Sequence, residues 1–214
     1  MAGEHYYTEE PKVPHDRRLI HFEAGAERYQ FWTDRGVFSR QRVDRGTRLL
    51  LAEIEIPPAG RFLDLGAGYG VIGIVLARRA PEAWVDLVEK NRRAAALARV
   101  NLALNGVTNA RILEGDGFEP VAGQRYHLIV TNPPLRAGRA LVEHWMDQAY
   151  RHLVPGGRFY MVARTSQGAR TLERLVARRF GSVVEAAKGG GFRLFYGERG
   201  ERGDEEGGAG TPPV

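Results

Sequence analysis

The sequence predicts an α/β fold: a doubly wound sheet closed by an antiparallel strand pair and preceded by a short β-hairpin. Three observations predict it. From residue 61 onward, short apolar runs alternate with helical patterns, the signature of strands joined by crossover helices. The first of these runs ends in a glycine-rich turn. The last two runs are joined only by the glycines at 189–191, too short a link for a parallel crossover, so that pair must be antiparallel.

The elements follow in chain order. Residues 19–22 and 28–32 read as two short strands, with Ala24-Gly25-Ala26 as the hairpin turn. The segment GVFSRQRVDRGTRLLLAEI at 36–54 leads into a helix starting near Gly46. RFLDL at 61–65 is the first buried strand, and VIGIVLARRA at 71–80 its helix. AWVDLVEK at 83–90 is the second strand, followed by an Ala- and Leu-rich helix at 91–105 that Gly106 closes. ARILEGD and YHLIVTN are the third and fourth strands, at 110–116 and 126–132. An amphipathic helix spans 139–152, with 153–157 as its exit turn. RFYMVAR at 158–164 is the fifth strand and 167–180 the helix after it. SVVEAA and FRLFYG, at 182–187 and 192–197, close the sheet. The expected organisation is a 1–42 extension carrying the hairpin, one domain over 43–197, and a disordered tail at 198–214, rich in glycine and charge.

Composition narrows the chemistry. The 214 residues are 43% hydrophobic and 27% charged, as in globular domains, and contain no cysteine. Disulfides, thiol nucleophiles and cysteine-ligated metals are thereby excluded. The six histidines are scattered without metal-ligand spacing, and Ser39, Ser166 and Ser182 lie in no nucleophile elbow. The N-terminus lacks a signal-peptide apolar region and no run approaches membrane-span length, so a cytoplasmic protein is expected. The net charge is +5, and the acidic tail leaves a larger positive excess on the rest, nearly all of it arginine. Such a surface suits a polyanion, although compositional bias explains it equally well. The run Arg35, Arg40, Arg42, Arg45, Arg48 reads either as a phosphate grip or as a solvated face paired with Asp34 and Asp44. Trp145 and Met146, on the amphipathic helix, read as core rather than ligand contacts.

The glycine-rich turn has two functional readings. Gly68-x-Gly70-x-x-Gly73 matches a dinucleotide fingerprint, with Glu89 at the end of the next strand to hold a ribose. Asp64-x-Gly66-x-Gly68-x-Gly70 matches the first motif of S-adenosylmethionine (SAM) methyltransferases, with Glu89 in the same role. A tight turn without a ligand is the third possibility.

A second motif bears on the choice. The fourth strand ends in Asn132-Pro133-Pro134-Leu135. As structure alone, the prolines are a strand stop. As chemistry, the Asn132 side-chain oxygen and the Pro133 carbonyl can each accept a hydrogen bond from a conjugated amine. Holding both N–H bonds frees the nitrogen lone pair for attack, in a loop stiffened by two fixed φ angles. Positioning of this kind needs neither metal nor strong base.

With these residues in view, the chain resembles the class I SAM-dependent methyltransferases. It is most similar to the "methyltransferase small" (RsmC-type) family of rRNA guanine-N2 methyltransferases, in single-domain form. The matching blocks are GVFS at 36–39, VDRGTRLLL at 43–51, LDLGAGYGVIGI at 63–74, NPPLRAG at 132–138 and TSQGA at 165–169, and the resemblance runs from His5-Tyr6-Tyr7 to about Tyr196. It implies a seven-stranded Rossmann-like methyltransferase sheet with an antiparallel last strand, and SAM as cofactor. It also implies methylation of guanine N2 in ribosomal RNA or an assembled subunit, with no metal.

Carried over by position, Asp64, Gly66, Ala67, Gly68 and Gly70 would hold the methionine part of SAM. Glu89 would hold the ribose, and Lys90, Asn91, Asp116 and Gly117 would surround the adenine. Thr47 would close the pocket, and Asn132, Pro133, Pro134 and Leu135 would form the catalytic loop. Phe38, Arg40, Arg136 and Arg139 are candidate substrate contacts. Leu135 departs from the family, where an aromatic residue at that position stacks on the target base. Phe38, Phe31 and Trp32 are candidate replacements. Glutamine-N5 and adenine-N6 methylation remain alternatives, as do an NAD(P)-dependent oxidoreductase and a non-catalytic RNA-binding assembly factor. Oligomeric state is open.

Overall fold

The computed structural model describes residues 9–135 and 138–200. His5, Tyr6, Tyr7, Arg136 and the tail beyond residue 200 lie outside the described residues. Strands β1 (Arg18–Ala24) and β2 (Glu27–Thr33) form the expected antiparallel hairpin. Helix α1 (Arg45–Glu53) follows, then β3 (Ala59–Leu65), α2 (Val71–Arg79), β4 (Glu82–Glu89), α3 (Arg92–Leu104), β5 (Ala110–Glu114) and β6 (Tyr126–Thr131). The chain continues with α4 (Arg139–His152), β7 (Leu153–Arg164), α5 (Ala169–Phe180), β8 (Val184–Gly189) and β9 (Phe192–Glu198).

The seven-stranded sheet has the order β5-β4-β3-β6-β7-β9-β8. Neighbours from β5 through β7 are parallel, and β9 is antiparallel to both β7 and β8. The order reverses between β3 and β6, which opens a crevice at their carboxyl ends. Thr131 at the end of β6 donates its hydroxyl to the Leu65 carbonyl at the end of β3, 2.8 Å away. The two loops that leave these strands are thus tied at their roots.

Side chains alternate across the sheet. Phe62, Leu87, Leu128 and Val162 face one layer, with α1, α2 and α3, while Leu63, Ile129, Phe159 and Phe195 face α4 and α5. The hairpin joins the first layer through Tyr29 and Phe31. Buried Asn101 of α3 fastens it there: its amide accepts from Trp32 N (2.7 Å) and donates to the carbonyls of Trp32 (3.0 Å) and Tyr69 (2.9 Å). One side chain thus connects the β2 edge to the glycine-rich turn. Asp86, fully buried on β4, accepts from Arg61, Arg111, Tyr126 and Trp84 at 2.7–3.1 Å. Burial opposes its ionisation, but these bonds together hold its carboxyl below the usual range.

Several boundaries depart from the sequence reading, the largest at β7. Residues 153–157 belong to β7 rather than to an exit turn. Leu153 pairs with Tyr126, Gly156 N–H donates to the Arg199 carbonyl at 2.7 Å, and Arg199 N–H donates to Gly157 at 2.9 Å. Strands on both sides supply partners that the local glycines do not announce. Likewise β8 runs through Lys188 and Gly189, which pair with Arg193 and Phe192. The turn is therefore only Gly190-Gly191, both with positive φ. Among the described residues no helix is long and apolar enough to cross a membrane.

Candidate active site at the carboxyl edge of the sheet

A cavity of about 340 Å³ lies over the crevice. Its walls come from the loop before α1 (Phe38, Asp44), the turn after β3 (Gly66 to Tyr69), the end of β4 (Glu89, Lys90), the loop after β5 (Gly115 to Gly117), the loop after β6 (Asn132 to Pro134) and Trp145 of α4.

The turn after β3 is clasped to β4. Gly66 N and Ala67 N both donate to the Val88 carbonyl, at 2.9 and 3.0 Å. Gly66, Gly68 and Gly70 have φ of 74°, 58° and 96°, values that L side chains adopt only with strain. Glu89 completes the clasp: one carboxylate oxygen accepts from Gly68 N and the other from Asn91 N, each at 2.7 Å. Burial raises its pKa, with the Asp116 charge adding and three backbone N–H bonds opposing. Asp64 lies under the turn. Its Oδ2 accepts from Gly73 N at 2.7 Å, while Oδ1 is buried with no partner among the described residues. Burial, with the nearby Glu89 charge adding, pushes its carboxyl up to about 7 against the Gly73 N–H bond.

The loop after β6 is held from α1. Asp44 is the N-cap of that helix and accepts from Gly46 N (2.7 Å), Thr47 N (3.1 Å) and the Thr47 hydroxyl (2.6 Å). The same carboxylate accepts from Asn132 Nδ2 at 2.8 Å, and the Thr47 Oγ1 accepts from it at 3.1 Å. A carboxylate cannot donate, so the amide of Asn132 has one permitted orientation. Its nitrogen faces Asp44, and its Oδ1 is left as an acceptor with no donor among the described residues. The Pro133 carbonyl already accepts from Leu135 N at 2.9 Å and keeps one lone pair.

Of the residues singled out in the sequence, Phe38, Thr47, Gly66, Ala67, Gly68, Glu89, Lys90, Asp116, Gly117, Asn132, Pro133 and Pro134 line this cavity. Others do not. Gly70 is the N-cap of α2, and a Cβ there would meet Ile74 and Ala98 at 3.1 and 3.3 Å. Asn91 is buried, where it caps α3 and donates to the Gly36 carbonyl at 3.0 Å; it positions the N-terminal loop instead of facing a ligand. Leu135 packs on the α4–α5 core. Arg40 is ion-paired with Asp16, and Arg139 with Glu143 one turn along its own helix at 2.7 Å. Lys90 pairs with Asp116 at 2.6 Å on the cavity wall. Phe31 is fully buried and Trp32 packs on the hairpin core, so of the three aromatic candidates only Phe38 reaches the mouth. Trp145 departs from its reading as core alone. It is core, yet its ring is also cavity wall, close enough to the turns that a Cβ on Gly66 or Gly117 would meet it at 3.3 and 3.1 Å.

Asp44 is the residue the sequence reading missed as a site residue. The signal was present in Asp44-x-x-Thr47 before an apolar run, a helix-start pattern. Its second role, holding Asn132 across 88 positions of chain, depends on the tertiary fold.

Sheet order, the clasped glycine turn with acidic residues on β3 and β4, and an Asn-Pro-Pro loop at the switch point together define a SAM-dependent methyltransferase of the Rossmann-like class. The chain belongs to the methyltransferase small domain family, whose family model matches residues 28–196. It is 36% identical over 191 residues to YbxB of Bacillus subtilis, an uncharacterized protein, covering 87% of this chain and 95% of that one. It is 38% identical over 169 residues to ribosomal RNA small subunit methyltransferase C of Pseudomonas fluorescens, covering 77% of this chain and 49% of that protein. Among solved structures, it is similar to the 16S rRNA N2 G1207 methyltransferase RsmC of T. thermophilus in complex with AdoMet and guanosine, with a TM-score of 0.77 and 29% identity. That match covers 88% of this chain and 52% of the other. The chain therefore spans about half the length of these RsmC relatives.

Proposed function

We propose that this chain transfers the methyl group of SAM to the exocyclic N2 amine of a guanine in ribosomal RNA. The observation that carries this reading is the fixed amide of Asn132, whose oxygen has no donor among the described residues, with Asn132 and Pro133 both lining the cavity.

The cavity suits SAM. Its volume falls in the ordinary range for small-molecule sites. Glu89 and Asp116 line it, and Asp64 lies buried beneath its glycine turn, an acidic setting that suits a ligand carrying an ammonium and a sulfonium. Oδ1 of Asp64, buried beneath the turn with no donor among the described residues, is an acceptor that a nearby cation would stabilise. Gly66, Ala67 and Gly68 would lie along the methionine part and Glu89 at the ribose hydroxyls. Asp116, Gly117 and Trp145 would enclose the base. When bound, SAM supplies an electrophilic methyl.

The chain's own contribution is orientation. Asn132 Oδ1 accepts one amine N–H and the free lone pair of the Pro133 carbonyl accepts the other. The nitrogen lone pair is thereby turned out of conjugation and toward the cofactor side of the cavity. Pro133 and Pro134 hold the loop rigid, so little order is lost on binding. A base carrying no exocyclic amine would leave both acceptors unpaired and be rejected. The target nucleotide must leave any stack to reach the loop.

The test is transfer of labelled methyl from SAM to ribosomal subunits and to deproteinated rRNA lacking the modification, beside Asn132→Ala. Label recovered as N2-methylguanosine, and lost in the variant, supports the reading. SAM binding without label in RNA overturns it and directs the search to glutamine and adenine acceptors.

A further inference from the structure

We infer that the carboxyl edge of the sheet beside the cavity is a docking track for single-stranded RNA, in which Phe38 stacks on a base while Arg42, Arg45, Lys188 and Arg164 hold flanking phosphates. This rests on the RNA-methyltransferase reading and specifies the form of RNA and the residues that grip it.

The arginine run before α1 is ambiguous in sequence, and the structure divides it. Arg35 and Arg40 pair with Asp16. Arg48 is bound to the Val43 carbonyl at 3.0 Å and lies over the Phe22 ring. Arg42 and Arg45 are exposed, and no carboxylate among the described residues pairs with either. Asp44 stands between them but spends its carboxylate on Gly46, Thr47 and Asn132.

The fold then brings in two more cations from the far end of the chain. β8 runs in the same direction as β3 to β7, so Lys188 near its end reaches the same sheet edge. The Arg45 stem lies along the β8–β9 turn, since a Cβ on Gly190 would meet its Cδ at 3.8 Å. The Phe192 ring packs against Gly46, and the Arg164 guanidinium sits over that ring at 5.1 Å. Lys188 and Arg164 are also exposed and also lack a carboxylate partner among the described residues. Four cations from three segments thus share the edge that holds Asn132.

Phe38 supplies the stacking surface. It is 37% exposed at the cavity mouth, although large and apolar. The next residue, Ser39, is the one non-glycine with positive φ among the described residues, at 57°. The Tyr69 hydroxyl, from the glycine-rich turn, donates to the Ser39 carbonyl at 3.2 Å. A strained rim residue anchored to the cofactor turn holds Phe38 at the opening. An aromatic platform beside a row of cations is the physical form of a single-strand site; duplex would bury its bases away from Phe38.

The experiment measures binding of the full chain to an unstructured oligoribonucleotide of about 12 nucleotides, within the usual span of such sites, as a function of salt. The same strand in a duplex serves as comparison. Each lost phosphate contact on a single strand lowers the log–log salt slope by about 0.7. The triple variant R42Q/R45Q/K188Q is expected to lower it by about 2. Phe38→Leu is expected to weaken binding by about 5- to 150-fold with the slope unchanged, which separates stacking from charge. A charge-matched control, R151Q/R174Q/R178Q on α4 and α5, is expected to leave the slope near the parent value. Thermal unfolding reports that each variant is folded.

An equal loss of slope in the control, no loss in the triple variant, or tighter binding of duplex than single strand overturns the track. Methyl transfer is read in parallel. A salt-dependent track on a chain that methylates no RNA leaves the docking surface standing and overturns the target assignment. Transfer to RNA by a protein whose slope ignores these residues overturns the track alone.

Discussion

Asp44→Asn tests how much of catalysis depends on holding one amide the right way round. Asn is as good an N-cap as Asp, so α1 should survive the change. What it loses is a purely accepting partner for Asn132 Nδ2 at 2.8 Å. With an amide at 44, Asn132 can turn over and present its nitrogen to the cavity, where it meets the amine donor to donor. A hydrogen bond to a charged group contributes about 1.5–3 kcal/mol. If the orientation of Asn132 rests on that bond, kcat should fall by about 10- to 150-fold. The KM for SAM should change less than kcat, because Asp44, although on the cavity wall, has its carboxylate engaged by Gly46, Thr47 and Asn132. Single-turnover transfer of labelled methyl to RNA measures the rate, and thermal unfolding checks the helix. Exchanging the pair supplies the rescue. Asn132→Asp alone sets two carboxylates against each other, and adding Asp44→Asn restores a donor–acceptor pair with an acceptor oxygen still facing the cavity. A kcat within twofold of the parent in folded Asp44→Asn, or no recovery in the exchanged pair relative to Asn132→Asp, would refute the reasoning.

Other perturbations address other parts of the molecule. With its carboxyl pushed up to about 7, Asp64 binds a proton more tightly in the folded state than in the unfolded one, whose value is near 3.8. Its stabilising share is therefore full below the unfolded value and is lost as pH rises through about 7. A cationic ligand favours the ionised form, so SAM affinity should rise with pH up to about 7 by as much as about tenfold per unit. Calorimetry of the parent against Asp64→Asn, which should flatten the profile, checks this. Asp86→Ala leaves Arg61, Arg111, Tyr126 and Trp84 without their shared acceptor; a loss of about 3–5 kcal/mol is expected in denaturant unfolding. Gly73→Ala places a methyl 2.5 Å from Leu87, so α2 must move off β4. Overpacking of this kind costs about 1–3 kcal/mol, and the Asp64–Gly73 bond should weaken with it, read as lower SAM affinity.

Much of this protein was legible in its sequence because the deciding signals are local. The alternation of strand and helix, the glycine turn after β3, and the stop at Asn132-Pro133-Pro134 each depend on backbone preferences within a few residues. The seven strands and the antiparallel β9 follow from them. What the sequence could not decide was which partner each side chain would find. Asn91 and Leu135 stand next to cavity residues in the chain but are turned into a helix cap and the core. Trp145 belongs to a helix face that reads as buried, and only the approach of α4 to Gly66 and Gly117 makes it a wall of the cavity. Arg42 and Arg45 read like Arg35 and Arg40 until the fold places Asp16 beside one pair and leaves the other on the edge near Lys188. The carboxylate of Asp44 and the amide of Asn132 meet only because β6 ends where α1 begins. Local sequence fixes torsions, whereas hydrogen bonds and ion pairs across long separations exist only once packing has brought their ends together.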